Sequence, residues 1–190
     1  MRQTKRCAAL LLAVLLVLTA AACGGKTNNE NDSLKLRFTA LYESDVLSDM
    51  VRDPAQYAGE IASYGVDDFA SAFQKTDAFR TYNAEVKLQN DNDFDVQILN
   101  LQCETGKQGK DGVWFSTLND VQMGFPAHYA GDEALYYHVI ADASLSKEDV
   151  LQRLGEMGIS CVYMKGSEAP DEDAQIDPAL VFTAKVSYAG

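Results

Sequence analysis

The chain has 190 residues, with 28 acidic against 16 basic side chains and a formal net charge of −12 at pH 7. Hydrophobic residues make up 47% of it, which is enough to form the core of a folded domain. The acidity argues against a nucleic acid partner, whose phosphates require basic patches, and against electrostatic docking on anionic lipid, which uses lysine and arginine clusters.

The first residues have the composition of an export signal. Three basic side chains within the first six residues precede the apolar run 10–18, and small residues continue to Cys23. This order is typical of a secretory signal peptide rather than of a membrane-spanning helix. We therefore predict a signal peptide over residues 1–22, whose removal takes away three positive charges and changes the net charge from −12 to −15.

The end of this signal resembles the lipobox of bacterial lipoproteins. The motif Thr19-Ala-Ala-Ala-Cys23-Gly-Gly places a cysteine directly after small residues, although Ala20 stands where that family prefers leucine. The resemblance implies cleavage before Cys23 and diacylation of its thiol, and two acyl chains suffice for stable attachment. We expect a lipid-anchored protein on the extracytoplasmic face of a bacterial cell membrane, with a flexible Gly/Asn-rich tether over residues 23–33.

Residues 34–78 are predicted to form a strand and a small helical element. Apolar residues at every second position from 34 to 42 predict a strand whose buried face includes Tyr42. Three short helices follow, and their apolar stripe must pack on another part of the chain. Their predicted starts are Ser44, Asp53-Pro54 and Asp67 or Asp68, and the second helix is predicted to stop at Gly65.

Residues 79–190 are predicted to be mainly β. Ser146 is predicted to cap a helix that ends at Gly158. Because such short strands need partners to hide their apolar faces, we expect an antiparallel sandwich of two sheets. The predicted strands lie near residues 79–89, 94–103, 113–117, 134–143, 159–164 and 181–188, with a seventh if residues 120–125 pair.

Two cysteines remain in the folded part once Cys7 is assigned to the signal and Cys23 to the lipid. These are Cys103 and Cys161. Export favours oxidation, which would join them in a disulfide, whereas the alternative is a pair of buried free thiols.

The spacing of these cysteines around the single tryptophan resembles that of immunoglobulin domains. Trp114 lies eleven residues after Cys103, and Cys161 lies fifty-eight residues after Cys103. The resemblance implies an immunoglobulin-like β-sandwich, with Cys103 on a B-like strand, Cys161 on an F-like strand, and the predicted helix in the crossover from the E-like to the F-like strand. Ile159 occupies the position of the tyrosine corner, so the likeness is one of architecture.

The residue types that carry metal or catalytic chemistry form no recognisable motif. Asp91 to Asp95 lacks the glycine and glutamate of a calcium loop, and the acidic loop 168–177 shows no ligand spacing, so we predict no metal site and no cofactor. His128 and His138 are the only histidines, and neither lies in a catalytic motif. We therefore predict no catalytic residue.

Three tyrosines close together in sequence indicate a partner surface. Tyr129, Tyr136 and Tyr137 lie near a loop, where tyrosine supplies rigid contact area for a protein or glycan. The alternative is that one of them points inward while its neighbour merely covers the sheet.

These observations favour a lipid-anchored binding or assembly module of the bacterial cell surface. One alternative is a small-ligand or cation receptor accessory to a transport system, which would require a concave pocket between the helical element and the β domain. Another is a hydrolase, which would require a histidine within hydrogen-bond reach of Ser, Asp or Glu in a cleft.

Overall fold

The computed structural model describes residues 31–117, 123–167 and 176–188. The predicted signal peptide 1–22, Cys23 and most of the acidic loop 168–177 lie outside the described residues. The strands are β1 (Leu34–Ser44), β2 (Phe79–Asn90), β3 (Val96–Gln102), β4 (Val113–Phe115), β5 (Gly124–Phe125), β6 (Ala134–Asp142), β7 (Ser160–Lys165) and β8 (Val181–Tyr188). The α-helices are α1 (Val46–Arg52), α2 (Ala58–Ser63), α3 (Phe69–Ala72) and α4 (Lys147–Glu156), and within the described part none is long and apolar enough to cross a membrane.

The eight strands form one mixed sheet in the order β4-β6-β2-β1-β8-β7-β3-β5. β1 and β8 run parallel, and the other neighbouring pairs are antiparallel. The predicted mainly β class is confirmed. The immunoglobulin-like sandwich is not confirmed, because a single sheet curls into a half-barrel and its curvature encloses the apolar side chains that we expected a second sheet to cover.

The first strand lies in the middle of this sheet. β1 pairs with β2 from Leu34 to Ser44 and with β8 from Leu36 to Phe38. Buried residues of β1, such as Phe38, share one core with residues of β2, β6 and β8. Residues 34–44 therefore belong to the same sheet and core as the strands that follow residue 79.

Helix α4 packs against the core of the curled sheet, as its amphipathic pattern predicts. Ser146 caps it: the Oγ atom accepts a hydrogen bond from the Asp149 N–H at 3.1 Å, and the Asp149 carboxylate accepts one from the Ser146 N–H at 3.1 Å. This capping box fixes the start of the helix. Val150, Leu151 and Leu154 are buried in the main core, so α4 both connects β6 to β7 and covers apolar surface.

The short helices α1 to α3 cover the opposite face of the sheet. Ile140 of β6 packs with them in a second core, whereas its neighbours Val139 and Ala141 point into the main core. Alternate residues of a strand point to opposite faces, so the helical element and the main core lie on opposite sides of β6. The buried members contributed by the helical element are Leu47, Met50, Tyr64, Phe69 and Phe73.

Local signals set the bounds of these helices. Asp68 accepts a hydrogen bond from the Ser71 N–H at 3.1 Å and starts α3 as predicted. Gly65 has a φ of 64° just after α2, the left-handed conformation in which glycine ends helices. Two starts lie later than predicted, since Asp45 rather than Ser44 occupies the N-cap position of α1, without a side-chain capping bond, and α2 begins at Ala58.

Phe73 is the aromatic centre of the second core. Its ring lies 4.7 Å from that of Phe69, 4.9 Å from that of Phe79 and 5.1 Å from that of Trp114. Because Phe73 is fully buried, truncation to alanine leaves a cavity that this small cluster has few ways to refill.

We expect Phe73→Ala to lower the free energy of unfolding by about 3 kcal/mol and to shift the emission of the single tryptophan to the red. Urea denaturation followed by tryptophan fluorescence measures both effects. Leu180→Ala is the matched control, because Leu180 is exposed and its truncation should cost less than about 0.5 kcal/mol. Equal stability of the two variants would contradict the proposed packing.

Cys161 lies on β7, and Cys103 directly follows the neighbouring strand β3; both are free thiols in the structure. Cys161 is buried opposite Leu101, and the Cys103 Sγ atom lies 3.6 Å from the carbonyl oxygen of Met157. Burial raises the pKa of both thiols, and for Cys103 the charge of Glu104 adds to the effect. The disulfide between them stays a prediction.

The raised pKa values predict slow alkylation. In the reduced native chain at pH 8, iodoacetamide should label Cys103 more slowly than free cysteine, since less thiolate is present, and Cys161 only after unfolding. Peptide mass spectrometry reads each site separately. In urea without reductant the predicted disulfide leaves both residues unlabelled, so rapid labelling of both under that condition would contradict it.

Candidate functional site

A polar cluster lies on the face of the sheet turned away from the main core, across β1, β2 and β6. The register places Glu85 of β2 between Ala40 of β1 and Tyr136 of β6. Tyr42 lies two residues beyond Ala40 on the same strand and is 50% exposed. We call Thr39, Tyr42, Glu85 and Tyr136 the Glu85 site.

An irregularity in β1 creates this site. The register with β2 shifts between Phe38 and Ala40, which inserts Thr39 as an additional residue. Such a bulge reverses the alternation of the residues after it. Leu41 is consequently buried and Tyr42 exposed, so the prediction that Tyr42 lies on the buried face of the strand is wrong. The sequence signal for the bulge was Leu41, an apolar residue out of phase with the strand.

Glu85 is a nearly buried carboxylate, 9% exposed, that is held by three neutral hydroxyl groups. Its Oε1 atom accepts a hydrogen bond from Thr39 Oγ1 at 2.5 Å, and its Oε2 atom accepts bonds from the hydroxyls of Tyr42 at 3.1 Å and Tyr136 at 3.3 Å. Above all the Thr39 bond, and then the tyrosine bonds and the charge of Lys87, lower the pKa of Glu85 despite its burial. The carboxylate is therefore ionised at neutral pH.

The carboxylate in turn keeps both tyrosines protonated. The hydrogen bond to Glu85 raises the pKa of Tyr42, and burial together with the charge of Glu85 raises the pKa of Tyr136. Both side chains thus remain hydrogen-bond donors with fixed hydroxyl positions. Their rings form a wedge, with centroids 6.2 Å apart and planes inclined at 56°.

Of the three tyrosines predicted as a partner surface, the structure places only Tyr136 in this site. Tyr136 is 53% exposed, whereas Tyr137 is buried with its ring 5.4 Å from that of Phe115. Tyr129 is half-buried, packs on Phe125 at 5.1 Å and accepts a hydrogen bond from the Glu133 N–H at 3.0 Å. Strand alternation separates Tyr136 from Tyr137, because neighbouring residues point to opposite faces.

His138 lies one position further along the same face of β6 and contacts α2. Its Nδ1 atom is hydrogen-bonded to the Glu60 carboxylate, which also accepts a bond from the Tyr64 hydroxyl at 3.5 Å. Beside this pair, the hydroxyls of Ser63 and Ser116 lie 2.8 Å apart. The His138–Glu60 contact meets the hydrogen-bond part of the requirement for a hydrolase, and together with the Ser63–Ser116 contact it joins α2 to the sheet.

His128 lies apart from this pair. It is an exposed turn residue with a φ of 56°, and its N–H donates to the Asn92 carbonyl oxygen at 3.1 Å. This backbone hydrogen bond joins the segment between β5 and β6 to the turn between β2 and β3.

Two carboxylates of the turn after β2 form an ion pair or a hydrogen bond with other residues of the protein. Asp91 forms an ion pair with Lys35 at 2.5 Å, and the Asp95 carboxylate accepts a hydrogen bond from the Ala127 N–H at 2.9 Å. Within residues 31–117, 123–167 and 176–188, no group of three or more His, Cys, Asp or Glu side chains is arranged to hold a metal ion.

A shallow open groove of about 390 Å³ lies between the end of β1 and the start of β2. Glu43, Asp45 and Asp77 contribute acidic side chains to its wall, and Arg80 contributes a basic one. It lies where the helical element meets the sheet, the location at which a receptor pocket was expected. Its mixed charge and openness distinguish it from the enclosed, mostly apolar sites that small ligands prefer.

Neither a family model nor a curated relative supplies a site that could be transferred to this chain. No protein-family model matches the chain, and no curated protein matches it. Any function proposed for this protein has to rest on the geometry of its own residues.

The lowered pKa of Glu85 predicts a pH-dependent contribution to stability. Its folded-state pKa lies below the value of about 4.3 expected in the unfolded chain, so the contribution is complete above that value and is lost as pH falls through the folded pKa. We expect Glu85→Gln to cost about 1 to 2 kcal/mol at pH 7 and progressively less towards pH 3.

Urea denaturation at both pH values measures this difference. Glu156→Gln is the control, because Glu156 is an exposed carboxylate on α4 and its neutralisation should change the stability by less than about 0.5 kcal/mol. A Glu85→Gln effect that is the same at pH 7 and pH 3 would show that the ionised form of Glu85 does not stabilise the fold.

Proposed function

We propose that this protein is a lipid-anchored binding or assembly module on the extracytoplasmic face of a bacterial cell membrane, and that the Glu85 site is its contact surface. The observation that carries the proposal is the exposed pair Tyr42 and Tyr136, whose hydroxyls are fixed on one ionised carboxylate. Tyrosine is enriched among the residues that dominate binding energy, because a rigid ring buries a large area at low entropic cost.

The exposure of these rings supports a role in binding. Tyr42 and Tyr136 are two of the three large hydrophobic side chains that are exposed in the described part of the chain, and the third is Leu180. Two such rings within 6.2 Å of each other form a patch rather than scattered surface residues. The hydrogen bonds to Glu85 preorganise the patch, which reduces the entropy lost on binding.

The edges of the sheet favour a contact through its face. The edge strands β4 and β5 are only three and two residues long, so they offer little backbone for pairing with a partner strand. The β1, β2 and β6 face, in contrast, offers exposed side chains from three long strands beside the helical element. We propose that the domain serves as immunoglobulin-like sandwiches in exported proteins do, as a rigid β scaffold that presents a contact surface.

The entry of the chain into the fold is compatible with a membrane tether. The Asn31 N–H donates to the Thr183 carbonyl oxygen at 3.1 Å, and Asn31 Nδ2 donates to Asn92 Oδ1 at 2.7 Å. Seven residues lie between Cys23 and Asn31, and the eight steps from one to the other span at most about 28 Å when extended. Tyr42 lies eight residues after Leu34, about 26 Å along β1, so this site would stand well away from the tether.

The receptor alternative has one observation in its favour, the groove lined by Glu43, Asp45 and Asp77. It would take a cation or a small polar ligand at the junction of the helical element and the sheet. Tyr42 and Tyr136 line no part of that groove, so substitutions at the two places distinguish the alternatives.

We expect Cys23→Ala to move the protein from the detergent phase to the aqueous phase in a Triton X-114 partition of whole cells, since the acylated cysteine supplies the anchor. Intact mass spectrometry of the unsubstituted protein should show a chain that begins at a diacylated Cys23. A Cys23→Ala protein that has lost residues 1–22, as shown by mass spectrometry, and still partitions with the detergent would contradict lipid anchoring at this residue.

We expect a photo-crosslinking amino acid at position 136 to capture a specific protein on intact cells, because this position lies in the proposed contact surface. The same group at position 180 is the matched control, since Leu180 is also exposed but lies outside the Glu85 site. The adduct should disappear when Cys23→Ala releases the protein. Identical adducts from positions 136 and 180, or none from position 136, would contradict the proposed surface.

A further inference from the structure

We propose that the Glu85 site receives the guanidinium group of an arginine presented by a basic protein partner. This inference rests on the proposed function and specifies the chemistry of the partner. It follows from three observations: a nearly buried carboxylate without an ion-pair partner among the described residues, two exposed aromatic rings beside it, and the net charge of the whole protein.

The negative charge of Glu85 has no ion-pair partner among the described residues. Its hydrogen bonds come from the hydroxyls of Thr39, Tyr42 and Tyr136, which are neutral. Lys87 is close enough to influence Glu85 electrostatically, but its Nζ atom lies 4.0 Å from the Asp132 carboxylate. A nearly buried carboxylate without a cation favours one that arrives from outside.

The two tyrosine rings suit a planar cation. Tyr42 and Tyr136 are each about half exposed, their planes are inclined at 56°, and both hydroxyls are hydrogen-bonded to the Glu85 carboxylate. A cation within about 6 Å of an aromatic face is attracted by the ring quadrupole, and guanidinium also stacks on the ring. An arginine in the wedge would contact π faces and the carboxylate at the same time.

The net charge of the protein favours the same kind of partner. The formal net charge of −12 attracts basic surfaces and repels acidic ones. A neutral sugar could also stack on the tyrosines, but it would leave Glu85 without an ion-pair partner. The observations therefore favour a basic protein segment over a glycan.

The test uses the full-length chain in nonionic detergent and two fluorescent peptides, Gly-Ser-Arg-Gly-Ser-Arg-Gly-Ser and its counterpart with citrulline in place of arginine. Citrulline keeps the shape of arginine and removes its charge. Fluorescence anisotropy should show at least about tenfold tighter binding of the arginine peptide, as expected for a charged hydrogen bond with an added cation–π contact.

Variants then assign this binding to the site. Glu85→Gln and Tyr136→Leu should each weaken binding of the arginine peptide by about threefold or more, while Tyr136→Phe keeps the ring and should retain more of the affinity than Tyr136→Leu. Glu156→Gln removes the same charge from α4 and should leave the affinity unchanged. Tryptophan fluorescence confirms that each variant is folded, and Tyr136→Leu provides a second readout if Glu85→Gln is destabilised.

Three outcomes would overturn the inference. Equal binding of the citrulline peptide would show that charge is not recognised. An equal loss of affinity in Glu85→Gln and Glu156→Gln would show that the arginine peptide responds only to the overall negative charge. Binding of a neutral chitooligosaccharide that depends on Tyr136, without binding of the arginine peptide, would make the occupant a glycan. Failure of the photo-crosslink on cells with intact arginine binding would instead overturn the proposed function alone.

Discussion

The pairing of β1 with both β2 and β8 is the constraint on which the rest of this structure depends. The first described strand and the last one lie side by side at the centre of the sheet, and they connect the group β4-β6-β2 to the group β8-β7-β3-β5. Without residues 34–44 neither group could close the curl around the main core. The fold is therefore held by contacts between the two ends of the described chain, which are distant in sequence and costly in loop entropy.

The same strand ties the fold to the proposed site. The bulge at Thr39 turns Leu41 inward and Tyr42 outward, and it also brings the Thr39 hydroxyl to Glu85. The additional residue Thr39 thus supplies the shortest hydrogen bond to the carboxylate, and its insertion exposes Tyr42, one of the two aromatic neighbours of Glu85. Bulges are used in this way to re-aim side chains. The site is consequently a property of the register between β1 and β2.

The electrostatics of the site differ from those of the acidic surface around it. Exposed carboxylates are screened by water and contribute little to specificity. Glu85 is instead desolvated, fixed by three donors and adjacent to two exposed rings, so its charge acts at short range on whatever covers Tyr42 and Tyr136. Recognition of one cationic group at this position would add selectivity to the long-range attraction that the net charge provides.

Hydrophobic period and capping predicted the local elements, namely the long strand β2, the capped helix α4 and the mainly β class, because both are properties of neighbouring residues. The sequence by itself did not determine the single curled sheet, the exposure of Tyr42 or the contact of His138 with Glu60, which lie 78 residues apart. Those depend on strand order and register, which are set by the packing of distant segments. Only the tertiary structure could bring Thr39, Glu85 and Tyr136 together, because each comes from a different strand.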